Sequence, residues 1–333
     1  MEPLVSVVMP AYNGEKYIGE SIESILNQTY HNFELIIIDD KSTDNTLHMI
    51  QKYTDKRIHL YKNICNKGIA YSTNLGIDNS KGKYIALLDD DDIALKKRLE
   101  WQVNFMETHN DIDILGGRSA MIDKDGKFLR YDKEPIYNSN YIKANLLFYN
   151  KKFANGTTMI RKNFIVENDL KYQEHCLGMQ DFKFFIDSSK VGTLTSIDNL
   201  IHLKRIHEEQ ETVRSMDLHA DKRGELHAQF QRESLKKSGF QLDEKHLQAI
   251  NDIMTEWPKK TYTKNDAVRL YEAFNEIVRQ ARKMNISYLA ELEYACKKIL
   301  GERVLARLDI FEQDHEKKGD FIWNADISNR SSI

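Results

Sequence analysis

Four consecutive carboxylates, Asp89-Asp90-Asp91-Asp92, follow directly on the apolar run 84–88. Adjacent carboxylates repel one another, and a divalent cation relieves that repulsion. Oxygen donors suit Mg²⁺ or Mn²⁺, whose shell is completed by water and substrate phosphate. The competing reading is a solvated acidic turn leading into a helix, because Asp is a good helix cap. Asp92 in particular is expected to cap a helix through 96–106, with ligation as its second use. A second acidic loop, Asp39-Asp40-Lys41-Ser42-Thr43-Asp44, follows the apolar run 33–38, and Pro10-Ala11-Tyr12-Asn13 follows the run 5–9. Taken singly, each of these is turn chemistry. Three strand ends carrying ligand-type residues on one edge point to a binding site.

Such loops need a scaffold that brings their ends together. Short β-rich runs at 5–9, 33–38, 58–61 and 84–88 alternate with helix-period segments marked by Ile18, Ile22, Ile25 and Leu26, by Leu47, Ile50 and Tyr53, and by Ala70, Leu75 and Ile77. Continuous apolar strands joined by helices predict βαβ units, hence an α/β fold with a mostly parallel, Rossmann-like sheet flanked by helices. Ligands of such sheets bind beyond the carboxyl ends of the strands. A helix through Leu99, Val103 and Met106 and a strand near 112–115 follow. Asp123-Lys-Asp-Gly126 reads as a hairpin turn, since Asp-Gly supplies positive φ. Beyond about residue 208 the period is helical, with Ala267, Leu270, Phe274, Ile277 and Ala281 and then Leu289, Leu292, Cys296 and Ile299 at helix spacing. The expected division is a catalytic domain over 1–212 and an all-α extension over 213–333, with a polar, fraying tail at 321–333.

Composition narrows the function classes. The chain has 333 residues, 41% hydrophobic and 30% charged, with a formal charge of -3, which suits a soluble folded protein and argues against a nucleic-acid partner. Cys65, Cys176 and Cys296 form no CxxC pair, so neither a disulfide framework nor a cysteine zinc site is expected, and a reducing cytoplasm is the default. The N-terminus has no basic region and too short an apolar run for a signal peptide, and no stretch is long enough to span a bilayer. The glycines of Gly14-Glu-Lys-Tyr-Ile-Gly19 have P-loop spacing, but Glu20 stands where the phosphate-binding Lys belongs. No GxGxxG follows the first strand, and neither HExxH nor Cys/His zinc spacing occurs. A glycosidase would need two carboxyls across a sugar, which these acids allow but this strand pattern does not favour.

The stretches VSVVMPAYNGEKYIGESIESILNQTYHNFELIIIDDKSTDNT, NKGIAYSTNLGIDNSKGKYIALLDDDDIALKKRLE, GMQDFKFF and LKRIHEEQET together resemble the inverting family 2 of nucleotide-sugar glycosyltransferases, which have the GT-A fold. The resemblance covers roughly residues 4–212. It is nearest to bacterial transferases that extend lipooligosaccharide or capsule chains with hexose or N-acetylhexosamine, an impression to which 144–161 contributes. It implies that Pro10, Ala11 and Tyr12 wall the nucleotide pocket, with the Tyr12 ring against uracil, and that Asp40 hydrogen-bonds the uracil imide. Asn66, Gly68, Asn74 and Asp90 join these nucleotide contacts. Asp89-x-Asp91 would be the family's DxD motif, with Asp91 on a Mn²⁺ or Mg²⁺, Asp89 near the nucleotide's ribose or at the metal and its water, and His207 reaching the metal or diphosphate. Asp181 would be the catalytic base, in a motif whose usual companion Glu is here Gln180. Thr73 stands where many members have an Arg toward the diphosphate.

One base and one metal are what the implied reaction requires. A UDP leaving group needs charge stabilisation, and a displacement with inversion needs one carboxylate within reach of the acceptor hydroxyl. Asp181 at the start of a helical run would be kept ionised by the helix dipole. The expected activity is therefore transfer of Gal, GlcNAc or GalNAc from a UDP-sugar to a hydroxyl of a glycan or lipid-linked glycan. The alternative is a catalytically weak, GT-A-like binding or scaffold subunit. Residues 258–307 hold 11 Lys/Arg against 6 Asp/Glu on apolar-striped helices. They read first as an extension packing on the catalytic domain or on a second copy. Their second reading is a basic face for peripheral contact with anionic lipid on the inner side of the cell membrane.

Overall fold

A computed structural model describes residues 2–131, 138–149, 153–255 and 262–304. The first third alternates strand and helix: β1 (Val5–Ala11), α1 (Ile18–Leu26), β2 (Phe33–Asp39), α2 (Thr46–Gln51), β3 (Ile58–Lys62), α3 (Ile69–Asn79) and β4 (Tyr84–Leu87). Then come β5 (Ile93–Ala94), α4 (Arg98–Thr108), β6 (Ile114–Ile122), β7 (Phe128–Tyr131), α5 (Ser139–Leu146), β8 (Met159–Arg161), α6 (Lys162–Glu167), α7 (Gln180–Val191) and β9 (Leu194–Arg205). Among the described residues there follow α8 (Glu211–Lys237), kinked at His219, α9 (Glu244–Thr255), α10 (Lys264–Met284) and α11 (Leu289–Ile299), which runs on into a π-helical turn over Leu300–Val304.

The strands form one sheet in the order β3-β2-β1-β4-β8-β6-β9-β5, with β7 extending from β6. The half built from β1 to β4 is parallel; β8 then runs antiparallel to both β4 and β6, while β6 and β9 are parallel. Strand alternation divides the side chains between two apolar layers. Val5, Val7 and Met9 of β1 and Tyr84 and Ala86 of β4 pack under α1 and α4, whereas Val8, Ile85 and Leu87 pack under α3, α5 and α7. Every residue of β1 and β2 is buried, which is why both are mostly apolar; the interior exceptions, Ser6 and Glu34, satisfy each other, with Ser6 Oγ donating to Glu34 Oε1 at 2.6 Å. The turn expected at Asp123–Gly126 closes the β6–β7 hairpin, with Gly126 at φ +81° and Asp123 N–H donating to Lys127 O at 2.8 Å.

Helices α8 to α11 share a separate apolar cluster around Leu270, Phe274, Ile277, Leu292 and Cys296. That cluster also takes in Ala144, Leu147, Phe148 and Tyr149, so α5 is shared: Ala144 and the residues after the helix join the helical layer, while Tyr141, Ile142 and Leu146 stay with the sheet. α8 is tied to α7 by Lys183, 4% exposed, whose ammonium lies 2.6 Å from Asp187 and 3.1 Å from Glu233. On α10 and α11 the basic side chains are largely engaged: Arg269 with Asp252, Arg279 with Glu276 and Arg282 with Glu293. Among the described residues no helix is long and apolar enough to cross a membrane. The tail 321–333 lies outside the described residues.

One buried cation underpins the acidic strand end. Arg98, fully buried, donates from Nη2 to Leu87 O at 2.7 Å and Thr158 O at 3.3 Å, and from Nε to Gln102 Oε1 at 3.1 Å. It thereby joins β4 to the segment entering β8 while opposing the charge of Asp92 and Asp89. Replacing Arg98 with Met removes the donors and leaves those carbonyls buried. Urea unfolding is expected to show a loss of about 3 kcal/mol or more, and a loss under about 1 kcal/mol would refute the account.

Candidate active site

Register brings the three strand ends together. Ala11 pairs with Asp39 and Val8 with Leu87, so the chain leaves β2, β1 and β4 side by side. Asp40 N–H closes onto Ala11 O at 2.8 Å. The loops are then laced to one another: Asn13 N–H donates to Ser42 Oγ at 3.1 Å, Thr43 N–H to Asn13 Oδ1 at 2.8 Å, and Asn45 N–H to Glu15 Oε2 at 2.8 Å. The Asp40 carboxylate, itself buried, accepts from Asn63 Nδ2, Lys67 N and Gly68 N at 2.7, 2.9 and 2.7 Å. Gly68 holds φ +86° at the start of α3, a conformation that L side chains resist, and this presents its N–H to Asp40.

Beyond these ends opens a cleft of about 630 Å³, of a size that suits a small-molecule ligand. Of the residues singled out from sequence, Pro10, Ala11, Tyr12, Asp40, Asn66, Gly68, Asp89, Asp90, Asp91, Asp181 and His207 all line it. Asn74 does not. Its amide donates to Tyr172 O at 2.8 Å and accepts from Tyr172 N at 2.9 Å, which makes it a bracket between α3 and a segment 98 residues away. Thr73 is buried and bonds back to Ile69 O at 2.8 Å, so α3 sends no cation into the cleft from that position.

The four aspartates have four different surroundings. Asp90 accepts from Tyr12 N at 3.1 Å, and a Cβ on Gly14 would lie 2.4 Å from its Oδ2, so only glycine lets the loop close over it. Asp91 Oδ2 lies 2.8 Å from His207 Nε2. Asp92, 2% exposed, accepts from Arg205 N at 2.8 Å and stands 2.9 Å from His202 Nε2. It caps no helix: β5 intervenes and pairs with β9, and α4 begins at Arg98 after Lys97. Asp89, Asp91 and Asp92 each offer an oxygen, and these three atoms lie within 4.8 Å of one another. Burial, with Asp92 and Asp91 alongside, pushes the Asp89 carboxyl up to about 7; burial and Asp91 push Asp92 up to about 8. Hard oxygen donors that burial makes reluctant to ionise together, with an imidazole beside them, fit a divalent cation such as Mn²⁺ or Mg²⁺.

This predicts a stability profile with a definite sign. Both carboxyls titrate higher in the folded chain than in the unfolded one, so the folded metal-free form binds more protons between about pH 4 and pH 8. Stability is full below the unfolded value and is lost as pH rises through the folded ones. Thermal melts in chelator should fall from about pH 5.5 to about pH 8.5, and Mn²⁺ should raise the midpoint more at the upper end, because ligands bind it deprotonated. An equal Mn²⁺ effect at both ends would remove the cluster from candidacy.

The opposite wall is formed by β6, β9 and the first turn of α7. Asp181, in that turn, lines the cleft beside Gln180 and accepts from Phe182 N at 2.7 Å. Ser119 Oγ and His202 Nδ1 are 2.8 Å apart, and burial together with Arg98 pulls the His202 imidazole down to about 3, so it stays neutral. Lys204 follows two residues later on the same face of β9, opposite Met121. Sequence reading missed Ser119, His202 and Lys204. Their one signal is the alternation in IHLKRIH, which sends His202 and Lys204 to the same side of a strand.

A mostly parallel sheet with an acidic cleft beyond its carboxyl ends, crossed by a mixed second half and followed by helices, is the GT-A architecture. S. aureus TarS residues 1–349, solved in complex with UDP-GlcNAc, shares it at a TM-score of 0.60 and 19% identity, over 89% of this chain and 90% of that one. The sequence matches Glycosyl transferase family 2 over residues 6–170. A glycosyltransferase of Haemophilus influenzae, otherwise uncharacterised, is 36% identical over 218 residues, 62% of this chain and 67% of that protein. The chain belongs to glycosyl transferase family 2 and is a glycosyltransferase. The Escherichia coli relative WfgD, a UDP-Glc:alpha-D-GlcNAc-diphosphoundecaprenol beta-1,3-glucosyltransferase, is 41% identical over 133 residues, 39% of this chain and 52% of WfgD.

Proposed function

We infer that the enzyme transfers a hexose or N-acetylhexosamine from a UDP-sugar to a hydroxyl of a growing surface glycan, with inversion. The observation that carries this reading is the single cleft in which Asp181 faces the same space as Tyr12, Asp40 and the Asp89–Asp91–Asp92 cluster. Pro10, Ala11, Tyr12, Asp40, Asn66, Gly68 and Asp90 would seat the nucleotide. Asp89, Asp91 and Asp92, with His207 against Asp91, would hold Mn²⁺ or Mg²⁺. When bound, that ion would neutralise negative charge on the diphosphate. Asp181 would take the proton of the acceptor hydroxyl as its oxygen bonds the anomeric carbon and the bond from that carbon to the diphosphate oxygen breaks. One carboxylate suffices for that step, so Gln180 in place of a second acid is no obstacle.

The donor set starts with UDP-Gal, UDP-GlcNAc and UDP-GalNAc, and the WfgD likeness adds UDP-Glc. The same relative favours a lipid-diphosphate-linked glycan as acceptor, which would be met on the cytoplasmic face of the membrane. Residues 1–212 would form the catalytic unit and 213–333 the helical extension. The internal pairing of Arg269, Arg279 and Arg282 favours packing over lipid contact as that extension's role. Release of UDP, GDP or dTDP from a donor panel with Mn²⁺ tests the reading. Turnover confined to one UDP-sugar supports it, and absence of turnover on every donor with extracted lipid-linked acceptors would favour the scaffold alternative.

A further inference from the structure

Among the described residues, four basic side chains line the cleft: Lys16, His202, Lys204 and His207. Three have direct partners. The Lys16 ammonium is 2.9 Å from Glu209, His207 meets Asp91 at 2.8 Å, and His202 lies between Ser119 and Asp92. Lys204 is different. Among the described residues no hydrogen bond or ion pair engages its ammonium, although it lines the same cleft as Asp89, Asp91 and Asp92 at the end of β4 and Asp181 on α7, and its neighbours on β9, His202 and Arg205, both meet Asp92. Burial opposes the charge, yet those carboxylates outweigh burial and raise its pKa, so the ammonium is charged. Thr73 supplies no cation, being buried against its own helix.

A charged ammonium in a cleft, without a direct partner, is matched by an anionic ligand. Its surroundings say which part of that ligand. On the reading above, the acceptor hydroxyl sits at Asp181 and the phosphates sit at the acidic strand end. The breaking bond lies between them, in the cleft that Lys204 lines with both.

We propose that Lys204 is a direct ligand of the donor's diphosphate, holding the leaving phosphate by an ammonium contact that does not depend on the metal. The inference rests on the reading of the cleft as a UDP-sugar site. It gives the enzyme a fixed positive charge where negative charge grows as UDP departs. It also gives UDP affinity in the absence of any divalent cation.

The test is UDP binding to the full-length protein in chelator, by calorimetry, with uridine followed by NMR titration as the phosphate-free control. Lys204→Met is expected to weaken UDP about tenfold to a hundredfold, the range of a lost charge-assisted hydrogen bond, and to leave uridine affinity unchanged. Lys204→Arg keeps the charge and is expected to hold UDP within about threefold of wild type. The uridine control also reports whether Lys204→Met folds, and Lys204→Arg carries the comparison if it does not: an Arg variant that binds uridine but has lost UDP by more than tenfold would count against a simple charge contact. Equal UDP affinity in wild type and Lys204→Met would overturn the inference while leaving the donor reading intact. A wild type that binds no UDP would overturn the donor reading, and the inference with it.

Discussion

Asp181→Asn is expected to lower kcat about a thousandfold with donor and acceptor saturating, within the range a positioned general base contributes. The amide keeps the shape of the side chain and can still accept from Phe182 N, so the first turn of α7 should be preserved. What it loses is the ability to take a proton from the acceptor oxygen. UDP affinity should stay within about twofold, because the nucleotide loops after β1 and β2 are built from other residues. Asp181→Glu moves the carboxylate by one methylene, and positioned catalysis is intolerant of such shifts, so intermediate activity is expected. The decisive measurement is single-turnover UDP release. An Asp181→Asn enzyme within tenfold of wild type would take the base role away from this residue.

The half of the site formed by β1, β2 and β4 was legible in sequence for a physical reason. Strands buried on both faces are forced to be mostly apolar, so the break to Pro10, Asp40 or Asp89 falls within two residues of each strand's end. The parallel sheet then puts those breaks on one edge without further information. The GT-A class followed from the same runs together with the motif resemblance. The other half was less legible. β6 and β9 carry polar residues along one face because that face is the wall of the cleft, and polar alternation looks the same whether it faces solvent or a ligand. Ser119, His202 and Lys204 were lost in that ambiguity. Asp92 was misread because local capping propensity favoured it as the cap of the helix expected through 96–106; pairing of Ile93 and Ala94 with β9 puts a strand between them, the helix starts at Arg98, and Asp92 goes to Arg205 and His202. Asn74 could not have been placed by sequence at all, since its partner Tyr172 is 98 residues distant and the contact is made through backbone atoms.

Asp91→Asn should be the second large loss, and comparing it with Asp92→Asn separates metal holding from structure. The Asp91 carboxylate has one described partner, His207 Nε2 at 2.8 Å, and Asp91 lines the cleft; Asp92 is buried and supports the Arg205 backbone. Removing the Asp91 charge weakens the hold on a cation that stabilises the departing diphosphate by several kcal/mol, so kcat/KM in Mn²⁺ should fall about a thousandfold. The Mn²⁺-induced rise in melting temperature should shrink with it. In Asp92→Asn the amide oxygen can still accept from Arg205 N, while a carboxylate that burial had pushed to about 8 is gone. The metal-free protein should therefore become more stable near pH 8, not less, since the folded state no longer has to ionise that group. Its activity should fall as well, through the missing oxygen, but without the destabilisation that a purely structural aspartate would show. If Asp91→Asn kept both its Mn²⁺ stabilisation and its turnover, the charge of the Asp89–Asp92 turn would serve the fold alone. Asp181 and Lys204 would then have to carry the chemistry between them.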